Sequence, residues 1–162
     1  MNNINMKKSN RREIREKVLQ VLYAYEQNGE GLTKLINEIL VDVSSDSDLN
    51  FGKDLINRVV ANQTKLDEDI KERVANWEME RIALIDRILL RMGITELLYF
   101  PEIPPKVSIN EVIEIAKEYS TSNSGKFING ILDAILSDLK LNSNLNKSGR
   151  GLIEESFGKK PD

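Results

Sequence analysis

"IALIDRILLRMGITELLYF", residues 82–100, is the most apolar stretch of the chain, and its reading decides the fold. Ile82, Ile85, Ile88, Leu89, Met92 and Leu97 recur at helical spacing, yet apolar residues are too continuous here for a helix with one face in water. The stretch therefore predicts a helix at the centre of a core. Pro101, Pro104 and Pro105 end it, because proline donates no hydrogen bond and disfavours helix in the residue before it.

Downstream, "SINE" (108–111) reads as a capping box in which Ser108 and Glu111 each satisfy an orphan backbone N–H, opening a helix from Ile109 to about Tyr119. "STSNSG" (120–125) reads as a loop and cap. Phe127, Ile128, Ile131, Leu132, Ile135, Leu136 and Leu139 then mark a last helix. Upstream, Ile14, Val18, Val21, Leu22 and Tyr25 trace one helix face, which Gly29 and Gly31 break. Leu32, Leu35, Ile36, Ile39, Leu40 and Val43 form a second stripe that ends in the loop-like "SSDSD" (44–48). A long third segment runs from Phe51 to Val74 with a bend near Asn62, and the pattern resets around Trp77. No strand-like alternation and no solenoid repeat appears. The expectation is an all-α fold, a compact helical bundle of about six to seven helices. It fills one domain over residues 1–141, with residues 1–9 a flexible basic arm and 142–162 a disordered polar tail.

With 162 residues and 40% hydrophobic content, the chain can bury one sizeable core. It has no Cys and no His, so disulfides, thiolate metal sites and the usual nucleophile–base pairs cannot be assembled from it. It also lacks a Gly-rich phosphate loop, metal-ligand spacing and a nucleophile elbow. Asp67, Glu68 and Asp69 are adjacent on a helix, so their carboxylates diverge around it and read as a solvated face. These features predict a protein that is not an enzyme and carries no cofactor. No run of about 18 apolar residues and no signal-peptide pattern appears, which predicts a cytoplasmic protein with no membrane partner.

Charge is unevenly placed. The chain is formally −3, but residues 1–17 hold Lys7, Lys8, Arg11, Arg12, Arg15 and Lys17 against Glu13 and Glu16, a local +4 that leaves −7 for the rest. A basic start on an acidic body marks an anion-binding element, unless it is simply a solvated helix start. Tyr23 reads either as a ring for stacking on an unpaired base or as a half-buried packing residue. Arg87 and Arg91, on the most apolar helix, read as ion-paired with a carboxylate such as Glu111 or Glu114.

Three segments, "RREIREKVLQVLY" (11–23), "IDRILLRMGITELL" (85–98) and "IPPKVSINEVIEIAKEYSTSNSGKFINGILD" (103–133), resemble in order and spacing the transcription antitermination factor NusB family. The resemblance spans roughly residues 10–140. It implies two packed helical halves and binding of single-stranded boxA-type RNA in nascent ribosomal RNA transcripts. The partner would be NusE, which also serves the small ribosomal subunit, and the setting the transcription elongation complex. The same domain precedes some ribosomal RNA cytosine methyltransferases, but this chain holds no cofactor-binding domain, so no methyltransferase is expected. Residue by residue, the resemblance places Arg11, Arg12 and Arg15 in the family's arginine-rich motif, with Lys7 and Lys8 as a flexible fringe. Glu13 interrupts that motif here. Tyr23 matches the family's "LY" signature, and Lys126 and Phe127 its "KF-NG" segment, where Phe127 is either a ligand contact or core. Asn129 and Gly130 are expected to serve tight helix packing. Arg91 is placed near the RNA path, and Glu80 and Asp86 on the side that receives NusE. The alternative is a helical protein-interaction scaffold that has lost RNA binding, which Glu13 favours.

Overall fold

The computed structural model describes residues 10–74 and 79–153. Among them the chain forms seven α-helices, α1 (Asn10–Asn28), α2 (Leu32–Ile39), α3 (Asp46–Ala61), α4 (Gln63–Lys71), α5 (Leu84–Tyr99), α6 (Pro105–Tyr119) and α7 (Ser122–Leu141), with 3-10 turns at Met79–Arg81 and Gly149–Leu152. No strand occurs among the described residues. The chain divides into two compact units, residues 1–56 and 57–162.

In the first unit, α1 ends where the chain must turn sharply. Gly29 and Gly31 adopt φ of 73° and 79°, a left-handed conformation that costs glycine nothing. The chain then returns as α2, and Ile14, Val18, Val21 and Leu22 of α1 are buried together with Ile36 and Leu40. Ser45 accepts from the backbone N–H of Asp48 at 3.3 Å and so caps α3, as the Ser/Asp cluster predicts.

In the second unit, α5 is the central element. Every residue from Ile88 to Leu97 is buried, so the helix has no solvent face there, in line with its largely apolar text. Helices α4, α6 and α7 all pack on it. Gly93 admits α7 closely: a Cβ there would stand 2.8 Å from Leu132 Cδ1. Burying α5 all round also buries its polar side chains, which must then be paired. Thr95 Oγ1 donates to the Arg91 carbonyl at 2.7 Å, and the fully buried Glu96 accepts from Ser108 Oγ at 3.0 Å.

The Ser108–Glu96 bond corrects the capping box. Helix α6 begins at Pro105, not Ile109, so Ser108 lies inside the helix. Proline is suited to the first helical position because it has no N–H to leave orphaned and its φ is already helical. The cap at Thr121 is present, its side chain accepting from Ser124 N at 3.2 Å. Asn62 separates α3 from α4 where the bend was expected. Gly130 does not serve close packing: a Cβ there would meet nothing within 4 Å, and Asn129 is exposed. The solvated reading of the acidic triplet holds for the exposed Glu68 and is corrected for Asp67 and Asp69. Asp67 is ion-paired, and burial pushes the Asp69 carboxyl up from its usual value against the pull of Lys65 and Arg73.

Residues 142–153, expected as disordered tail, instead form a strap across the end of α5; residues 154–162 lie outside the described residues. Lys147 Nζ donates to the carbonyls of Glu96 at 3.1 Å and Phe100 at 2.8 Å, a cation placed at the negative end of the helix dipole. Ser148 N donates to the Pro101 carbonyl at 3.0 Å. Burial lowers the Lys147 pKa from 10.5, partly offset by Glu96 and Glu102. Below the lowered value, desolvation of the ammonium offsets part of what its hydrogen bonds contribute to the docked strap. As pH rises through it toward 10.5, the folded chain has released a proton that the unfolded chain still holds, so stability rises. The neutral amine keeps two N–H groups for the two carbonyls. Urea unfolding across that alkaline window is expected to show this rise in the native chain and not in Lys147→Met; equal curves would mean the amine is solvated.

Candidate nucleic-acid interface

On α1, the three arginines of the basic segment have different surroundings. Arg11 donates from Nε to Asp48 Oδ1 at 2.9 Å and from Nη2 to Ser47 Oγ at 3.1 Å, and its guanidinium lies 4.3 Å from the Phe51 ring centroid. Arg15, one turn on, is only 3% exposed and lies 5.1 Å from the same ring. Arg15 is thus a packing residue, which corrects its expected place on the surface. Arg12 stays partly accessible and Tyr23 is 41% exposed. Eleven residues make just over three turns, so Arg12 and Tyr23 share a face and stand about 16 Å apart along the axis. That strip offers phosphate pairing at one end and a stacking ring at the other. Lys7 and Lys8 lie outside the described residues.

The second unit gathers a site around Phe127, which is half-buried on α7 beside the exposed Lys126. Two open grooves meet at this ring. One, about 450 Å³, is lined by Arg73, Val74, Lys126, Gly130 and Ile131 besides Phe127. The other, about 330 Å³, is lined by Arg81, Ile82, Asp86, Thr121 and Ser124 besides Phe127. Lysine and arginine on the rims with an aromatic edge between suit an anionic ligand that also has flat rings.

Asp86 is not a surface carboxylate. It is 7% exposed, and its Oδ2 accepts from Ser124 Oγ at 2.8 Å. Its Oδ1 is buried with no hydrogen-bond partner among the described residues, an acceptor whose desolvation is uncompensated until a donor enters. Glu80, in the turn before α5, is exposed. Arg91, expected near the RNA path, is 3% exposed and donates from Nε and Nη2 to Asp67 Oδ1 and Oδ2 at 2.7 and 3.0 Å. Asp67, a carboxylate partner that the sequence reading did not name, is on α4. The rotation of α4 against α5 decides this, and local periodicity does not encode it.

Sequence reasoning missed Arg73, Arg81 and Ser124 as groove residues. Arg73 had one usable signal, a long cation in a helix-terminal "KER". In the structure it pairs with Asp138 and Glu72, which leaves it more a wall than a free charge. Among the described residues no three His, Cys, Asp or Glu side chains gather to hold a metal ion, and no helix is long and apolar enough to cross a membrane.

The chain is 50% identical over 148 residues to the transcription antitermination protein NusB of Salinibacter ruber, covering 90% of this chain and 92% of that one. The structure of T. maritima NusB superposes with a TM-score of 0.75 at 36% identity, covering 82% of this chain and 94% of that one. The fold also matches antitermination factor NusB as crystallised with NusE and dsRNA, at TM-score 0.72 and 24% identity over 80% of this chain and 97% of that one. The NusB family model matches residues 12–137, and on these grounds the chain belongs to the NusB family.

Proposed function

We propose that this chain is a non-enzymatic, cytoplasmic RNA-binding antitermination factor that, with NusE, holds single-stranded boxA-type RNA of nascent ribosomal RNA transcripts within the transcription elongation complex. The observation that carries this reading is the Phe127 ring at the junction of two open grooves, with Lys126 on its rim. An unpaired base stacks on such a ring while the ammonium takes a phosphate. Arg12 and Tyr23 supply a second RNA strip on α1, with Lys7, Lys8 and Arg11 adding charge. Glu80 and the negative charge of Asp86 in the groove wall suit a basic protein such as NusE.

Fluorescence-anisotropy titration of a boxA-like RNA, with and without NusE, tests the reading. Binding by the chain alone is expected to be weak, with a slope of log affinity against log salt of roughly −2 to −3.5 if three to five phosphates are neutralised at about −0.7 each. Arg12→Ala is expected to weaken it by about 1 kcal/mol and to leave NusE affinity intact. A slope near zero removes the cationic strip from the reading. The scaffold alternative has two structural points in its favour, the engagement of Arg11 by Asp48 and the burial of Arg15. NusE binding without any RNA binding would decide for it.

A further inference from the structure

Residues beyond 137, where the family model stops, close a groove against α6 and α7. The strap lies along α6 and α7 and encloses a cleft of about 260 Å³ with Leu136, Leu139 and Leu145 in its wall. Three lysines rim it from three elements: Lys106 of α6, Lys140 of α7 and Lys147 of the strap. The lining includes no carboxylate, no arginine and no aromatic ring. Lys106 shares its charge with Asp133 at 3.5 Å, outside the lining. Leu152, which is 65% exposed, and Ile153 complete the edge, so large apolar side chains face water beside the lysines.

The strap is clamped firmly enough to shape a site. Gly151 is buried against the Pro101 carbonyl so closely that a Cβ would stand 1.8 Å from its oxygen, and Asn144 N donates to the Leu139 carbonyl at 2.8 Å. An apolar cleft with Lys106 and Lys140 on its rim complements an apolar side chain flanked by carboxylates, while the Lys147 ammonium is held by the Glu96 and Phe100 carbonyls. RNA fits it less well, since the lining has neither an aromatic ring nor a guanidinium on which a base would stack.

We infer that this groove is a docking site for a short acidic segment of a partner protein, one that inserts a leucine or phenylalanine between the lysines. The test uses the full chain and a fluorescein-labelled peptide EELFEELFEE, with EESSEESSEE and a labelled ten-nucleotide uridine RNA as controls. Saturable binding of the first peptide and none of the serine peptide is expected. The Lys106→Glu, Lys140→Glu double variant is expected to weaken that binding at least about tenfold while uridine RNA affinity stays within about twofold. Gly151→Ala, which cannot keep the strap against Pro101, is expected to abolish peptide binding with helical content retained by circular dichroism. Three outcomes overturn the inference. Uridine RNA losing affinity with the peptide in the double variant would make the groove a nucleic-acid surface. Peptide binding that appears only in Phe157→Ser would assign it to the chain's own C-terminal residues. No peptide binding by either protein would mean that it docks no acidic segment.

Discussion

Replacing Asp67 by Ala is expected to lower the unfolding free energy by about 3 kcal/mol, the lower end of the cost of breaking a buried ion pair from one side, since the Asp67 side chain is itself 23% exposed. Asp67 takes two N–H groups from Arg91 at 2.7 and 3.0 Å, and Arg91 is 3% exposed, so the cation left behind cannot turn to water. For a chain of this size the melting temperature should fall by roughly 6–12 °C. Asp67→Asn keeps the shape and an acceptor but not the charge, so its loss should be smaller. Replacing both partners, with Asp67→Leu and Arg91→Met, should recover much of the loss, because a packed apolar pair carries no desolvation penalty. Urea unfolding of the four proteins measures this. A loss below about 1 kcal/mol for Asp67→Ala would mean that water reaches the pair in solution. Arg91→Met with unchanged stability and much weaker RNA binding would return Arg91 to the RNA path.

Asp86→Lys is expected to remove most NusE affinity, by about 2–5 kcal/mol, since it places like charges where the proposed basic partner docks. RNA affinity of the free chain should stay the same or rise slightly, because a positive charge is added to the groove that Phe127 shares. Asp86 is buried and bonded to Ser124, so the lysine also costs stability, and Asp86→Asn is the necessary companion. The amide still accepts from Ser124 but presents no charge. It should keep the melting temperature and still weaken NusE binding, more at low salt than at high. Arg12→Ala is the reciprocal variant, weakening RNA and sparing NusE. Equal loss of both ligands in both variants, with melting temperature unchanged, would mean that the two surfaces are wrongly assigned.

Helix-level features were legible in the residues because they are set by near neighbours. The apolar run from Ile88 to Leu97 required a helix without a wet face, and α5 is buried there all round. Gly29 and Gly31 mark a turn that needs positive φ, Asn62 marks the break between α3 and α4, and Thr121 is a cap that its own next residues use. The helix start at Pro105 was legible in principle, but the capping-box pattern at Ser108 competed with it and lost to the preorganised φ of proline.

Pairings between distant residues were decided by tertiary structure alone. Arg91 meets Asp67 across 24 residues, Asp86 meets Ser124 across 38, and Lys147 reaches the Glu96 carbonyl across 51. Each depends on how one helix is rotated and shifted against another, a quantity that 3.6-residue periodicity leaves open. The same holds for exposure. Arg12 and Arg15 are three residues apart and chemically identical, yet Arg15 is packed near Phe51 while Arg12 keeps part of its surface in water. Polarity made residues 142–153 look disordered, because composition counts apolar area and not carbonyls at a helix end waiting for a cation. Lys147 supplies that cation and Gly151 the close approach, and neither is visible until α5 has ended where Pro101 stands.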